Sequence, residues 1–358
     1  MIVLNIILKI LNYVVIIGLL AAYAAPYVNP DIVWELAFFG LLHPVFVILN
    51  AILLLIWLFK AKLKFIINLL VLIMGLGSIK KNISFGAETS PVRDGKIKVI
   101  SFNSKLFGVY DDDNFFDKFL NLVNEKTPDI LCIQEFYNIG LNGSDAINEI
   151  KKNTGLKYHY FHSLKRKNGK SKYGIIFFSR YKIINYGEID FGDNTVNLCI
   201  FADVNYNNET LRIYNTHLQS LKLARTDYQL LKKIGEDSDY AIQVSKNIFG
   251  RLKQAFILRA KQAEALNENI KNCKYPVIVC GDFNDTPQSY AYRKISENMT
   301  DCFIESGNGI GGTYTGPLPS LRIDYILHDN SMISYNYLAS ENFKSDHKMI
   351  ETLIQIKK

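Results

Sequence analysis

The sequence has little cysteine, and what it has is poorly placed for chemistry. Cys132, Cys199, Cys273, Cys280 and Cys302 form no CxxC pair, and their odd number cannot close a full disulfide framework. Cys132, Cys199 and Cys280 lie inside apolar runs and read as small buried hydrophobes. No HExxH or cysteine cluster is present to hold zinc. Neither an internal repeat nor a low-complexity tract occurs, which sets aside solenoids and fibrous folds. Charge of one sign is also scarce. The chain carries +7 over 358 residues, and six lysines against Asp31 and Glu35 place +4 of that in residues 1–81. Residues 82–358 keep only +3, which does not announce the strongly basic face of a duplex-binding protein.

What the sequence does have is a concentration of long apolar runs before residue 82. "IVLNIILKILNYVVIIGLLAAYAA" is apolar over the length that crosses a hydrocarbon core. Its alanine-rich end is not a convincing cleavage site and further apolar runs follow, so it reads as a retained anchor rather than a removed signal peptide. Three spans are expected, at 2–25, 34–59 and 63–79, making 1–81 a transmembrane region and the protein multi-pass in the cell membrane. His43 and Pro44 fall inside the second span without an acidic partner and suggest a kink with a packed neutral imidazole. Lys60, Lys62 and Lys64 mark the loop after the second span as cytoplasmic. The domain beyond the third span then lies outside the cytoplasm, although Lys80 and Lys81 pull weakly the other way.

Residues 82–95 are polar with Gly and Pro and read as a linker. From residue 96 onward, strand patterns dominate, with helices between them. "NNE" between "NLCIFADVNY" and "TLRIYNTHL" signals a hairpin, and a helical pattern covers roughly 222–271. Such a mixture packs as a two-sheet core with outer helices.

Several strands carry a polar residue at an end: Asn103, Glu135, His217 and Asp282 with Asn284 close theirs, Asp324 lies in "RIDYIL", and Asp346-His347 precede the last strand. One such ending is most simply a turn. Six sharing carboxylate, amide and imidazole suit phosphate ester cleavage. Oxygen ligands such as Glu135, Asp346 and the Asn103 amide favour a hard cation such as Mg²⁺. Imidazoles can donate to phosphoryl oxygens, and aspartate beside asparagine can hold a water. "LKRKNGKSKYG" adds a basic turn, with Lys165, Arg166, Lys167 and Lys172 as candidate contacts to a polyanionic substrate or as a solvated hairpin tip.

"SFN", "PDILCIQE", "NTHL", "GDFND", "RIDYIL" and "SDH", in this order, resemble the endonuclease/exonuclease/phosphatase superfamily with the DNase I-like fold. The resemblance covers about 96–356. It implies a four-layered α/β sandwich of two packed β-sheets flanked by helices over 96–358, here preceded by an α-helical transmembrane region. By motif, Asn103, Glu135 and Asp346 would bind Mg²⁺, with Mn²⁺ as a substitute. Asp282 would activate the attacking water with Asn284 beside it. His217 and His347 would contact the scissile phosphate, and Asp324 would fix the His347 tautomer. The acidic residue that some DNA-repair members carry just after the asparagine is replaced here by Ser104-Lys105. "RAKQA" matches the family's helix before the GDFN strand, and 221–258 reads as an insertion. The expected activity is a membrane-anchored, metal-dependent phosphoesterase. A tethered nuclease on DNA or RNA and a non-catalytic binding module on the same fold are the alternatives. No protein partner is inferable.

Overall fold

The computed structural model describes residues 2–60, 62–86, 89–90, 93, 95–108, 114–140, 143–166, 169–192, 197–221, 238–316, 321–340 and 345–357, without the side chains of 164–166, 169–170 and 238–246. The chain divides into two compact units.

The first unit comprises Met1–Ile79, Gln219–Ala263 and Gln288–Lys294. Its N-terminal helices are α1 (Ile2–Ala24), α2 (Glu35–Leu41), α3 (His43–Phe59) and α4 (Lys64–Met74), followed by α5 (Leu76–Lys80). One helix, Ile2–Tyr27 with its 3₁₀ extension, is long and apolar enough to cross a membrane; α2 and α3 would supply a second only as a pair bent by 65°. The expected span at 34–59 is therefore broken at Leu42, just before His43-Pro44, because proline lacks the amide that would continue the ladder. His43 packs against Tyr23, with ring centroids 5.7 Å apart. The segment expected as a third span breaks at Gly75, where a Cβ would overlap the Tyr23 hydroxyl. Its 11-residue helix α4 rises only about 16 Å.

Polar side chains point inward among these helices. Asn12 Oδ1 accepts from Trp57 Nε1 at 2.8 Å and from Asn68 Nδ2 at 2.9 Å, all three residues being buried. Helix α8 (Ser238–Lys271) covers α2: Phe38 packs on Phe249 and Phe256 at 4.9 and 5.3 Å, and Lys261 pairs with Asp31 at 3.4 Å. The described part of the insertion is thus a packing helix in this unit; its residues 222–237 lie outside the described ones.

The second unit, Lys80–Leu218, Glu264–Pro287 and Ile295–Lys358, holds every described strand. The first is β1 (Ile83–Phe85), inside the stretch expected as a linker; it pairs with β11 (Asn308–Ile310), and Arg93 nearby bonds Asp129 at 2.9 Å. One six-stranded sheet runs β13 (Met332–Ser340), β14 (Met349–Ile356), β2 (Ile97–Asn103), β3 (Ile130–Tyr137), β5 (Gly169–Ser179), β4 (Tyr158–Arg166). The other runs β10 (Met299–Asp301), β12 (Asp324–Asp329), β9 (Val277–Asp282), β8 (Glu209–His217), β7 (Leu198–Tyr206), β6 (Ile183–Ile189). Each sheet has one parallel pair at its centre, β2–β3 and β8–β9, with antiparallel strands on either side.

Inward residues of both sheets make one core, including Val99, Cys132 and Phe177 from the first and Ile200, Ile213 and Cys280 from the second. The outer face of the first sheet is covered by α6 (Phe115–Lys126) and α7 (Ala146–Thr154). Phe115, Phe116, Phe119, Leu120 and Val123 repeat at helical spacing and are buried. Asp145 caps α7 by accepting from Asn148 N, and Gly155 ends it in the left-handed conformation at φ 69°. The last turns of α8 lie on the second sheet, where Asn269 accepts from the Tyr214 hydroxyl at 2.7 Å. Helix, sheet, sheet and helix form the four-layered DNase I-like sandwich. The β7–β8 hairpin turns through Asn207 and Asn208, at φ 51° and 67°, as "NNE" predicts.

Candidate active site

The carboxyl ends of the two central parallel pairs deliver the site. Asn103 ends β2, Glu135 lies near the end of β3, His217 ends β8 and Asp282 ends β9. Local backbone features aim each one. Between Ile133 and Phe136 the β3–β5 register slips, and Glu135 takes φ 48° as the extra residue of a bulge. A bulge turns a side chain off the regular alternation, which brings the Glu135 carboxylate to the sheet's end. Gly281, at φ 148°, has its Cα against the Thr216 carbonyl, where a Cβ would overlap the oxygen. This close approach seats Asp282 beside His217, with which it shares a parallel register.

The "GDFND" turn is held from several sides. Asn284, at φ 52°, donates from its backbone to Asp282 Oδ1 at 2.7 Å and from its side chain to Asp282 Oδ2 at 3.2 Å and the Leu218 carbonyl at 3.0 Å. Phe283 is fully buried and packs on Tyr325 at 4.6 Å, beneath the turn as its apolar character predicts. Asp285 caps locally, accepting from Thr286 N at 3.0 Å.

Across the two sheets, Asn103 Nδ2 donates to Asp282 Oδ2 at 3.0 Å and reaches Glu135 Oε1 at 3.4 Å. His217 Nε2 lies 3.7 Å from both Glu135 Oε1 and Asp282 Oδ2, and His347 Nε2 lies 3.7 Å from the same Asp282 oxygen. His347 Nδ1 faces both Asp324 oxygens at 3.1 Å, a geometry that can orient the ring. Asp346 stands at the rim, with Oδ2 3.4 Å from Lys105 Nζ. Seven of the eight predicted catalytic and metal residues therefore meet directly, and Asp346 joins through its charge acting on Glu135.

Burial sets the proton affinities. It pushes the Asp282 carboxyl up to about 6, with Asp324 adding to the effect and His347 and His217 opposing it. Glu135 is also raised by burial, and His217 is lowered by it towards the neutral imidazole. For His347 burial acts downward, but Asp324 and Asp282 outweigh it and raise the group to about 10, an imidazolium at neutral pH.

These states decide where a cation fits. Asp282, Asp324 and His347 offer ligand atoms within 4.8 Å of one another. His347 Nδ1 already faces both Asp324 oxygens, so within this trio the ring nitrogen on that side is engaged by a carboxylate. On the other side, among the described residues, the buried His217 Nε2 and Asp346 Oδ1 have no hydrogen-bond partner, and the Glu135 carboxylate receives the long Asn103 bond. Oxygen donors left without protein N–H groups suit a hard cation. Asn103 presents its amide nitrogen to Glu135 while its Oδ1 accepts from Lys105 N at 3.1 Å, so ligation through oxygen requires the amide to turn over.

Two supports were not predicted. Gln134, buried, donates to Ser101 Oγ at 3.1 Å and to Asn215 Oδ1 at 2.7 Å, bolting the two sheets together behind Glu135. Thr313 Oγ1 accepts from the backbones of Ile323 and Asp324, and Tyr314 pairs with His347 in an isolated bridge. Both had a visible cue, an amide or hydroxyl beside a motif, but no cue to its partner. Of the basic turn, Lys172 is exposed; Lys165 and Arg166 end β4 with undescribed side chains, and Lys167 lies outside the described residues.

A model of the endonuclease/exonuclease/phosphatase family matches residues 100–347. This chain belongs to that family. A second model, a domain of unknown function (DUF8431), matches residues 5–82. No curated protein matches the chain. Among solved structures, the human nocturnin catalytic domain with bound sulfate is similar at 20% identity and TM-score 0.53, over 74% of this chain and 95% of that one. D. rerio TDP2 complexed with a single-strand DNA product is similar at 17% and 0.52, over 73% and 100%. An endonuclease/exonuclease/phosphatase from Bacteroides vulgatus is similar at 16% and 0.51, over 73% and 99%. At these identities the likeness establishes the fold of the family member, and its own residues must carry the chemistry.

Proposed function

We propose that the chain is a membrane-anchored phosphoesterase that uses a divalent cation and an activated water to hydrolyse a phosphate mono- or diester. The observation that carries the reading is the buried, unpartnered His217 Nε2, set 3.7 Å from both Glu135 and Asp282. A buried ring nitrogen left open among the described residues can be completed by a substrate oxygen, donating to it when Nε2 carries the proton.

In this reading Asp282, positioned by Asn103 and Asn284, accepts a proton from water as the water oxygen bonds phosphorus and the ester P–O bond breaks. His217 and the His347 imidazolium donate to the phosphoryl oxygens, and Asp324 holds His347 in place. Glu135, Asn103 and Asp346 would hold the cation, Mg²⁺ or Mn²⁺, which when bound offsets charge on the phosphoryl group. Chelation with EDTA is expected to abolish hydrolysis and added Mg²⁺ or Mn²⁺ to restore it. The assay compares plasmid DNA, single-stranded oligonucleotides, inositol phosphates and phospholipid vesicles at near-physiological salt. The net +3 of residues 82–358 favours a phosphoester at the membrane surface over long duplex DNA. Rapid plasmid cleavage with no other activity would reverse that preference. A tethered nuclease is the second reading, favoured by the β4–β5 hairpin with its exposed Lys172. No hydrolysis of any substrate with metal present would leave a binding module.

Membrane embedding is supported by the polarity of the N-terminal helices. They bury Asn12, Asn50 and Asn68 while exposing Ile10, Ile17, Ile48 and Ile73, the reverse of a water-soluble bundle. Lys60 bonds Asn5 near the start of α1, whereas Tyr23 near its end bonds the Val71 carbonyl. This supports α1, α3 and α4 running back and forth, with Lys60 beside the start of α1 on the cytoplasmic side and α4, continued past its break by α5, leading residue 82 onward towards the other. A C-terminal alkaline phosphatase fusion is expected to be active outside the cytoplasm. An inactive phosphatase fusion with a fluorescent cytoplasmic one would invert the topology.

A further inference from the structure

The short ribbon of β1 and β11 has an apolar face turned outward. Ile83 stands opposite Ile310 and Phe85 opposite Asn308. Side chains two apart on a strand, and those directly across from them, share a face, so Ile83, Phe85 and Ile310 lie together. Ser84 faces the other way, its hydroxyl bonding the Ile304 carbonyl at 3.4 Å. Phe85 is 87% exposed and Ile310 80%. Exposed strand tips of this kind are ordinarily polar.

The ribbon is not a loose tip. Gly311 N donates to the Asn82 carbonyl at 3.1 Å. The Lys81 carbonyl accepts from Arg322 at 2.6 Å, and Arg322 is itself buried in an ion pair with Asp301 at 2.6 Å. An apolar face held this firmly outward is built for a partner.

Chain connectivity says which partner. The N-terminal helices end with α5 at Lys80, three residues before Ile83. Three residues of extended chain span at most about 10 Å. A chain this short keeps the ribbon within reach of the headgroups at the end of the helical anchor. Lys80 and Lys81 precede it, and lysines just past the end of an apolar helix reach to the membrane–water interface.

We infer that Ile83, Phe85 and Ile310 dip into the lipid surface, a contact separate from the helical anchor. The inference rests on the membrane reading above and deepens it. From Ile310 the chain reaches Tyr314 in four residues, at most about 14 Å. Tyr314 bridges to His347, with ring centroids 5.6 Å apart. The ribbon is thereby tied at short range to His347, which the proposed function sets against the phosphate, and this fits a phosphoester carried on a lipid headgroup.

Nitroxide labelling of the full chain in vesicles containing anionic lipid tests this. Four native cysteines are buried, so Cys273→Ser leaves a background in which an added cysteine is the accessible thiol. Labels are placed by Phe85→Cys, Ile310→Cys and, on α3, Ile48→Cys. Both ribbon positions are largely exposed, so the substitutions spare the core. The readout is collision with oxygen, which partitions into lipid, against collision with an aqueous nickel chelate. The expected result is a lipid-like ratio at all three positions, shallower at Phe85 and Ile310 than at Ile48. A lipid-like ratio at Ile48 with aqueous ratios at Phe85 and Ile310 overturns the ribbon contact and leaves the anchor standing. An aqueous ratio at Ile48 overturns the membrane reading and the ribbon contact with it.

Discussion

Replacing Asp282 with asparagine is expected to lower kcat by about 10²–10⁴, the usual scale for losing a general base. Asn is nearly isosteric, so its oxygen can still accept from Asn284 N, which bonds Oδ1 at 2.7 Å in the parent. What disappears is the negative charge and its basicity, which burial raises to about 6, close enough to neutrality for proton transfer from water. The thermal midpoint is expected to stay near the parent's: removing a carboxylate buried to 1% exposure is favourable, and the Asn103 and Asn284 amides that then face the new Nδ2 offset it. Single-turnover hydrolysis alongside thermal unfolding separates the two effects. Turnover at the parental rate would remove Asp282 from the reaction, and a collapsed midpoint would make the loss uninformative about chemistry.

The second large effect concerns His347 and its partner. Asp324→Asn is expected to cut kcat/KM by about 10²–10³, the scale of a lost electrostatic donor. It should also move the alkaline limb of the pH profile. In the parent, activity should rise as Asp282 loses its proton near about 6 and fall as His347 loses its proton near about 10. These apparent values belong to an interacting pair. Without the Asp324 charge the upper limb should slide towards the ordinary histidine value of 6.5, narrowing the bell. The sign for stability follows the same group. A histidine raised from 6.5 to about 10 contributes in full below pH 6.5, and the contribution is lost as pH climbs to about 10. Thermal midpoints should therefore decline over that window in the parent and less in Asp324→Asn. An unmoved alkaline limb would show that Asp324 does not govern the imidazole.

The site was readable because each motif couples an apolar strand to a polar residue at its end. "VIVCGDFND" states both the strand and its cargo within nine letters. What stayed hidden depends on partners far away in sequence. Residues 82–95 look like a linker until Ile83–Phe85 meets Asn308–Ile310, and nothing local announces that pairing. The bulge at Glu135 exists only relative to β5, so the strand pattern cannot display it. Asn215 seems a strand-end polar residue until Gln134 reaches it from the other sheet. The long apolar run at 34–59 was legible as helix, but α2 is covered by α8, whose Phe249 and Phe256 supply a surface that hydropathy does not reveal.

The β14–β2 pairing sets a condition on how the molecule comes into being. Residues 349–356 lie between β13 and β2, the earliest strand of that sheet in the chain, with Ile350 across from Ser101. The bond from Asn103 to Asp282 likewise joins residues 179 apart in the chain. Contacts of such separation form slowly, because loop closure must precede any reward. A ribosome releases Asn103 and Glu135 early, yet their strand waits for the last segment of the chain before its sheet is complete. Until then β2 has an open edge, and a nascent chain halted anywhere before residue 349 holds its first-made functional residues on an unfinished sheet.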